Sequence, residues 1–340
     1  MLLKREEAIL RLIAGDYIAT AIPVSSEVVA RKHAPKISPA TARNDMARLE
    51  EEGFIHRPHT SAGAVPTEKG YRLYVEGLAA EKKLSLDEEL AIRKVFREVE
   101  QCLDGWIRLA TIELAKRVRS VAVVTFPLSR QCHFKRLELV ALQEFLVQTI
   151  FVMKELKLKQ HLIVTDQPVT QDQLVAISNK LNDAYDGLTY TEICTRKLEL
   201  SPLEDQLAMT VAQLMRAEDE RQQNELCIDG LRHLLAQPEF ANSSSAEACS
   251  LLELIEGGNG LASMMKTDSD EQGVKVTIGT ENEEEALSHC SVVICTYGIQ
   301  SMMKGNIGAI GPTRMNYMQT ISTVNSLSLV MSELFDEVYS

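Results

Sequence analysis

The sequence predicts an α+β protein with several domains, and three observations support this. Its 340 residues exceed what one compact core usually holds, so two or three domains are expected. Hydrophobic residues make up 45% and charged residues 25% of the chain, which is typical of a globular protein. Apolar residues follow a helical period near both ends of the chain, whereas β-branched or alternating runs lie between them.

The stretch over residues 36–67 carries the clearest local signals. Ser38 followed by Pro39 is the pattern of a helix N-cap and first helical residue. A helix is therefore predicted over residues 39–52, and Gly53 can end it with positive φ. Its spacing of four and three predicts a buried face made of Ala42, Met46 and Leu49.

The opposite face of this helix is polar. Its side chains, which can reach phosphates or base edges, are Thr41, Arg43, Asn44 and Arg48. Residues 54–57 and 65–67 read as two short strands around a polar tip, residues 58–63. Helix, strand, polar tip and strand are the outline of a winged helix-turn-helix, whose recognition helix lies in a DNA major groove. The alternative is an ordinary amphipathic helix and hairpin within an α/β domain.

Two helices upstream complete such a module. The first is predicted over residues 4–20 and the second over residues 26–32, capped by Ser25. The module should end near Tyr74, which gives a domain over residues 1–78. His33, His56 and His59 share no metal-ligand spacing, and His59 at the tip can touch a phosphate.

Three motifs in this part of the chain belong together: SPATARNDMARLEEEGFI, PHTSAG and PTEKGYRLYV. Over residues 24–74 the chain resembles the winged-helix domain of the HrcA family, bacterial repressors of heat-shock chaperone genes. The family usually has arginine after Gly63, where this chain has Ala64, which puts one wing phosphate contact in question. We expect DNA contacts from Ser25, Ser38, Ala40, Thr41, Arg43, Asn44, Arg48, Arg57, His59, Thr60 and Ser61.

Net charge is the main objection to DNA binding, because the chain carries −12. The charge is distributed unevenly: residues 1–78 hold 11 Lys and Arg against 10 Asp and Glu, and the remainder holds 25 against 38. The first domain is thus close to neutral, with its arginines placed locally. Affinity should then depend on a dimer that binds two half-sites.

A charged linker helix is predicted over residues 79–104, and a second α+β domain follows it. Its first part, residues 105–167, holds a helix over 106–118 and strands over 121–126, 135–142, 145–153 and 161–165. Its second part, residues 266–340, holds strands over 274–278, 292–297 and 306–310 and a helix over 320–335. The motifs IGTENE, CSVVICTYGI and GNIGAIGPTRMNY are similar to the C-terminal signature of the same family, which implies a GAF-like domain.

The segment between these parts, residues 168–265, is predicted to be mainly helical. One helical stripe within it consists of Leu203, Leu207, Val211 and Leu214. The resemblance implies an inserted dimerisation segment with this stripe as its seam, and the alternative is a helical cap on the second domain. The predicted fold class is therefore α+β multidomain: an N-terminal winged helix-turn-helix and a GAF-like α+β domain interrupted by a mainly helical dimerising insert.

Signals for catalysis, metals and membranes are missing from the sequence. Seven cysteines include no CxxC pair, and the glycine-rich run over 305–312 lacks the Gly-Lys-Ser/Thr ending of a phosphate loop. Arg314 after that run could hold an anion, although a salt bridge is the simpler role. No apolar run reaches the ~18 residues of a membrane span. We predict a cytoplasmic protein that is not an enzyme and needs no cofactor or metal.

The predicted function is repression of heat-shock chaperone operons. A homodimer would bind an inverted-repeat (CIRCE-type) operator and be released on heat stress, and the resemblance implies that the chaperonin GroEL keeps it active. One alternative is a winged-helix regulator whose GAF-like domain binds a small ligand. An enzyme tethered to DNA is a third reading. A ligand sensor requires a cavity with convergent polar groups, and an enzyme also requires titratable groups at hydrogen-bond distance.

Overall fold

The computed structural model describes residues 2–32, 37–59, 62–78, 86–97, 103–129, 132–154, 158–222, 225–241, 245–257, 259–265, 273–299 and 303–339. The chain divides into two compact units. The larger unit holds residues 1–126, 226–299 and 305–340, and the smaller unit holds residues 127–225 and 300–304. The chain therefore leaves the larger unit twice, after residue 126 and after residue 299.

The larger unit begins with a winged helix-turn-helix. Its elements are α1 (Lys4–Thr20), α2 (Ser26–Lys32), α3 (Pro39–Glu51), β1 (Ile55–His56), β2 (Val65–Pro66) and α4 (Glu68–Leu78). This confirms the predicted order, and each of the three predicted helices begins where the sequence signals place it. The two strands are antiparallel, with Ile55 opposite Pro66. The core between α1 and α3 is formed by Ile9, Leu10, Ile13, Ala42, Met46 and Leu49.

The base of the wing is closed by a short contact between two distant backbone segments. Val24 and Ala64 form an isolated antiparallel bridge, in which each N–H donates to the other residue's carbonyl at 2.9 and 2.8 Å. Gly63 lies directly beside this bridge, and a Cβ placed on it would meet the Pro23 carbonyl oxygen at 2.5 Å. Only glycine allows the two backbones to approach this closely.

The remaining helices and strands follow in chain order. They are α5 (Leu86–Arg97), α6 (Leu103–Val118), β3 (Val121–Thr125), β4 (Leu128–Ser129), β5 (Phe134–Gln143), β6 (Leu146–Met153), β7 (Leu158–Val164), α7 (Gln171–Tyr185), α8 (Tyr190–Thr195), α9 (Pro202–Gln222), β8 (Leu226–Asp229), α10 (Leu231–Leu235), α11 (Pro238–Ala241), α12 (Ser245–Gly257), α13 (Asn259–Met265), β9 (Val274–Ile278), β10 (Cys290–Ile299), β11 (Met303–Pro312) and α14 (Tyr317–Tyr339).

A sheet with the strand order β8-β3-β11-β10-β9 forms the rest of the larger unit. Helices α10, α12 and α13 pack on one face, where their side chains form a core with those of β3, β10 and β11. Helices α6 and α14 cover the other face. There Phe335 of α14 contacts Trp106 of α6 and Tyr297 of β10, with ring centroids 5.9 and 5.7 Å apart. The predicted α+β architecture is confirmed.

The smaller unit contains an antiparallel sheet with the order β5-β6-β7. Its inner face packs on α7, α8 and α9 and forms one hydrophobic core with them. Cross-strand partners share a face, so the pairs Leu146–Val164 and Val152–Leu158 point away from that core. We call this surface the outer sheet face; its apolar side chains are Val140, Leu146, Ile150, Val152, Leu158, Leu162 and Val164, and Leu142 lies at its margin, where the strand pairing is irregular.

The domain boundaries in the structure differ from the predicted ones. Residues 105–167 and 266–340 were expected to form one domain, but β5, β6 and β7 form the separate sheet of the smaller unit. Conversely, residues 226–265 of the predicted insert belong to the larger unit, where β8 pairs with β3. Strand β6 pairs with β5 on one side and β7 on the other, so these three strands make no pair with β3. The edge of β3 pairs with β8 instead.

An aromatic contact joins the winged helix-turn-helix to the sheet of the larger unit. The ring of Tyr317, at the start of α14, lies 5.8 Å from Tyr71 and 6.5 Å from Tyr74 of α4. Around these rings, Arg72 pairs with Glu281 and donates to the Val276 carbonyl at 2.9 Å. Because Tyr71 and Tyr317 are buried, water is excluded from the centre of this contact and polar groups form its margin.

We predict that Gly63→Ala lowers the stability of the full chain. The added methyl group meets backbone atoms that cannot move aside, and such overpacking typically costs about 1–3 kcal/mol. Gly15→Ala is the matched control. Gly15 lies in α1 with open space around it, so alanine should raise stability by about 0.5–1 kcal/mol. Thermal unfolding of both variants measures the difference, and equal midpoints would contradict the role of Gly63.

Candidate DNA-binding surface

The amino-terminal turn of α3 is held by its cap. The Ser38 hydroxyl accepts the Thr41 N–H at 3.0 Å and lies 2.9 Å from the Thr41 hydroxyl. Pro39 occupies the first turn, as the sequence predicts. The cap fixes where α3 begins, and therefore which side chains its first turns present to solvent.

The first two turns of α3 present a small polar surface. Ala40, Arg43 and Asn44 are exposed, and Thr41 is half-buried beside them. The Arg43 guanidinium lies 3.7 Å from the carboxylate of Glu27 on α2, and both side chains are about two-thirds exposed (67% and 65%). Exposed pairs of this kind are weak, so Arg43 can exchange its partner for a ligand at little cost.

The causes of the lowered pKa of Glu27 also indicate that its ion pair with Arg43 is weak. That pKa is lowered mainly by a hydrogen bond to the backbone N–H of Glu27 itself, then by one to the Ser25 side chain. Arg43 is a smaller contributor to the same shift. The Glu27 carboxylate is thus held ionised mainly by its own backbone N–H and by Ser25 at the start of α2, and less by Arg43.

The two other arginines expected at DNA have acidic neighbours. Arg48 on α3 lies 3.1 Å from Glu6 of α1, which is only 1% exposed. Arg57 after β1 lies 3.5 Å from Glu50 of α3, and both of these side chains are about one-third exposed. The phosphate roles of Arg48 and Arg57 remain predictions, and the burial of Glu6 makes the surroundings of Arg48 the more unusual of the two.

The wing presents fewer side chains than its sequence contains. Pro58 and His59 are exposed at the described part of the tip, whereas Thr60 and Ser61 lie outside the described residues. Ala64 is fully buried at the wing base, so position 64 contributes packing in this chain. His33, between α2 and α3, also lies outside the described residues.

Ser25 has a different position from the other predicted contacts. It is half-buried, and its hydroxyl accepts the Val28 N–H at 3.4 Å at the start of α2. The structure therefore brings Thr41, Arg43 and Asn44 together on α3 and places Ser25 at the start of the preceding helix. A contact from Ser25 to DNA stays a prediction.

Two buried carboxylates in this module, Glu6 and Asp45, were not predicted from the sequence. Asp45 on α3 is 3% exposed and accepts two hydrogen bonds from Arg5 of α1, at 2.7 and 2.8 Å. A signal was present in the sequence. Asp45 is next to Met46 and four residues before Leu49, so it lies at the edge of the apolar face of α3, where a carboxylate needs a cationic partner.

The predicted dimerisation stripe is corrected by the structure. Leu207 and Val211 are 0% and 1% exposed and belong to the core of the smaller unit, under the β5-β6-β7 sheet. Leu203 and Leu214 are half-buried on the same helix. A helical period shows that a stripe is buried but does not show what buries it, and here the chain's own sheet does so.

Side chains fill the space between the larger unit's sheet and the helices on one of its faces. Val121, Val123, Val292 and Ile310 are at most 1% exposed and pack against α12 and α13, which favours the repressor over the ligand-sensing alternative.

Arg314 pairs with Glu239, which is the salt bridge considered from sequence. Among the described residues, no three His, Cys, Asp or Glu side chains are grouped to hold a metal. In the same part of the chain, every helix is too short or too polar to cross a membrane.

Comparisons with known proteins point to one family. A family model described as "HrcA protein C terminal domain" matches residues 104–321. A heat-inducible transcription repressor HrcA from Dehalococcoides mccartyi is 42% identical over 100% of this chain and 97% of its own length. The protein of that name from Chloroflexus aggregans is 35% identical over 100% of this chain and 94% of its own.

One solved structure has the same fold. It is described as the crystal structure of a hypothetical protein at 2.2 Å resolution, and it superposes with a TM-score of 0.62 at 23% sequence identity. The match covers 99% of this chain and 98% of the other. The similarity therefore extends over the whole arrangement of elements and not only over the winged helix-turn-helix.

Proposed function

The chain belongs to the HrcA family of heat-inducible transcription repressors, and we propose that it represses as a homodimer that binds both halves of an inverted-repeat operator. It is a negative regulator of heat-shock gene transcription and not an enzyme. The observation that carries the proposed mechanism is the polar surface at the start of α3, where Arg43 and Asn44 are exposed and Thr41 is half-buried beside them. In helix-turn-helix proteins these first turns meet the base edges.

Each side chain of this surface suits a particular contact in the major groove. Arg43 can bond the O6 and N7 atoms of guanine with its forked guanidinium, and Asn44 can bond N6 and N7 of adenine. Thr41 and Ala40 can place methyl groups against thymine. His59 and Arg57 at the wing, with Ser25 and Ser38 at the helix starts, are proposed to approach phosphates and fix the register. Thr60 and Ser61 are proposed to join them at the wing tip.

Charge supports a requirement for two half-sites. The first 78 residues are nearly neutral, and Arg5 and Lys32 are already paired with Asp45 and Asp16 inside the module. Few cations are left to neutralise phosphates, so one module alone should bind DNA weakly. A dimer that places two modules on one inverted repeat adds their contacts.

We propose that the second copy covers the outer sheet face of the smaller unit. Six apolar side chains there or at its margin are between 40% and 69% exposed: Val140, Leu142, Phe145, Leu158, Leu162 and Val164. Contiguous exposed apolar surface of this kind marks an interaction site. The charges on this face, Arg136 and Glu138, are paired with each other at 2.7 Å. The surface is thus close to neutral, and two copies of a chain with net charge −12 can meet there with little repulsion.

The family relationship also leads us to propose that the chaperonin GroEL restores the active fold after heat. The described residues form several separate cores, among them those of the winged helix-turn-helix, of one face of the larger unit's sheet and of the smaller unit, and small cores are individually marginal. In the larger unit β3 pairs with β8, about 100 residues further along the chain, and such distant pairing slows folding and leaves apolar surface exposed meanwhile. A slow refolding step is where a chaperonin acts.

We predict that Arg43→Ala weakens operator binding and relaxes base preference at one position of each half-site. Loss of a bidentate base contact costs about 1–3 kcal/mol per site. Arg57→Ala is the contrasting variant and should weaken binding to operator and scrambled duplex alike. Fluorescence anisotropy with the two duplexes measures both effects. Unchanged operator binding by Arg43→Ala would refute its base contact, and wild-type protein that does not prefer the operator would refute the proposed function.

We predict that Leu162→Asp gives folded monomers with at least 100-fold weaker operator binding. The aspartate would be buried without a partner in the dimer but would be solvated in the monomer. Val175→Asp is the matched control, because Val175 is 48% exposed on α7, outside the outer sheet face, and should leave the dimer intact. Light scattering gives the mass of each variant. A dimeric Leu162→Asp protein would exclude this face as the interface.

A heat pulse should abolish operator binding by the purified protein, and GroEL with ATP should restore it. The physical reason is that refolding competes with association of exposed apolar surface, which a chaperonin prevents. ATP alone serves as the control. If binding survives the pulse undiminished, or if a metabolite restores it and GroEL does not, the ligand-sensing alternative would replace this proposal.

A further inference from the structure

Two ion pairs connect the recognition helix α3 to α1, and the arginine comes from α1 in one pair and from α3 in the other. Arg5 of α1 binds Asp45 of α3 through two hydrogen bonds, at 2.7 and 2.8 Å. Arg48 of α3 in turn lies 3.1 Å from Glu6 of α1. Each helix thus supplies one arginine and one carboxylate to the other.

Both carboxylates are removed from water. Glu6 is 1% and Asp45 3% exposed, whereas the arginine side chains are about half exposed, at 54% for Arg48 and 47% for Arg5. A buried carboxylate without a positive neighbour is strongly destabilising. The arginines therefore cover the carboxylates, with their outer edges in solvent.

Glu6 depends on Arg48 in particular. Its Oε2 atom accepts the Leu3 N–H at 2.8 Å, which caps α1. Its Oε1 atom is buried and accepts no hydrogen bond within the described residues. The Arg48 guanidinium, 3.1 Å away, is within salt-bridge distance of this oxygen, and Arg5 adds a weaker attraction to the same carboxylate.

These pairs act on the part of α3 that faces DNA. The apolar contacts of Ala42, Met46 and Leu49 hold α3 on the core, but hydrophobic packing has little directional preference. The forked guanidinium of Arg5 requires one orientation of Asp45, and Asp45 is adjacent to Asn44. Arg48, three residues further along the same helix, applies a second constraint. Together they fix the rotation of α3 about its axis, and with it the direction of Arg43 and Asn44.

We propose that Arg48 is a positioning residue for the recognition helix, which it orients by neutralising Glu6, and that it makes no phosphate contact. This proposal rests on the proposed function, since the orientation matters through operator binding. It assigns the two arginines of α3 different roles. Arg43 reads the operator, and Arg48 holds α3 in the orientation in which Arg43 can do so.

The test is a double-mutant cycle of Arg48→Met and Glu6→Gln in the full chain. Anisotropy is measured with operator and scrambled duplexes over a series of salt concentrations. Arg48→Met alone should lose at least tenfold in operator affinity, because Glu6 is left buried and unpaired. The double variant contains no unpaired charge and should bind within about threefold of wild type, with the same salt dependence.

A phosphate contact would give the opposite pattern. Each lost contact makes the negative slope of log K against log salt shallower by about 0.9, so for a dimer the magnitude of the slope would fall by about two. Glu6→Gln would then rescue nothing, and affinity for operator and scrambled duplex would fall together. A reduced slope or absent rescue in the double variant overturns the proposal.

Thermal unfolding of the same four proteins separates this proposal from the proposed function. The double variant should melt at a higher temperature than Arg48→Met, whether or not the protein binds the operator. If Glu6→Gln changes the melting temperature equally in wild type and in Arg48→Met, the Glu6–Arg48 pair is not coupled and the positioning role fails. If the coupling is present but wild type shows no preference for the operator, the proposed function fails instead.

Discussion

The contact between α4 and the start of α14 is the constraint on which the placement of the winged helix-turn-helix, and of α3 within it, depends. Tyr71 and Tyr317 are 3% and 0% exposed, and their rings lie 5.8 Å apart. The Tyr317 hydroxyl is satisfied within the sheet domain, where it donates to the Thr313 carbonyl at 2.6 Å and lies 2.7 Å from the Ser291 hydroxyl. The packed rings must stay buried while the Tyr317 hydroxyl keeps its hydrogen bonds, and one orientation of α4 against α14 satisfies both requirements. The winged helix-turn-helix is therefore held against the sheet in a defined orientation.

Polar groups around those rings form hydrogen bonds and ion pairs that further restrict how α4 lies against the sheet. Arg72 binds both Glu281 and the Val276 carbonyl, and Glu68 accepts the Thr280 N–H at 3.2 Å. Burial on its own would raise the pKa of Glu281, but the hydrogen bonds from Arg72 and from the Ile278 N–H outweigh it and lower the pKa. Glu281 therefore stays ionised at neutral pH. Movement of the module away from the sheet would leave these charges unpaired as well as expose the tyrosines.

The sequence was informative where the determining signals are local. The start of α3 follows from Ser38 and Pro39, and its exposed face follows from the spacing of Ala42, Met46 and Leu49, so Arg43 and Asn44 could be placed on the surface in advance. Strand partners could not be assigned in this way, because alternation shows that a strand is half-buried and not which strand lies beside it. This is why the sequence predicts β5, β6 and β7 in the wrong domain and includes β8 in a helical insert. The same ambiguity placed Val211 at a dimer seam rather than in a core.

The distribution of charge connects DNA recognition to the smaller unit. Because Arg5 and Arg48 cover buried carboxylates, much of the positive charge of the winged helix-turn-helix supports its internal structure. Non-specific affinity arises mainly from cations at phosphates, so under the proposed mechanism such a module would bind random DNA weakly and would need a second half-site. The second half-site is available only to a dimer, and the exposed apolar surface that a partner could cover belongs to the smaller unit. If the proposed dimer forms through that surface, heat that unfolds the smaller unit would end repression even while the side chains of α3 proposed to contact bases keep their positions.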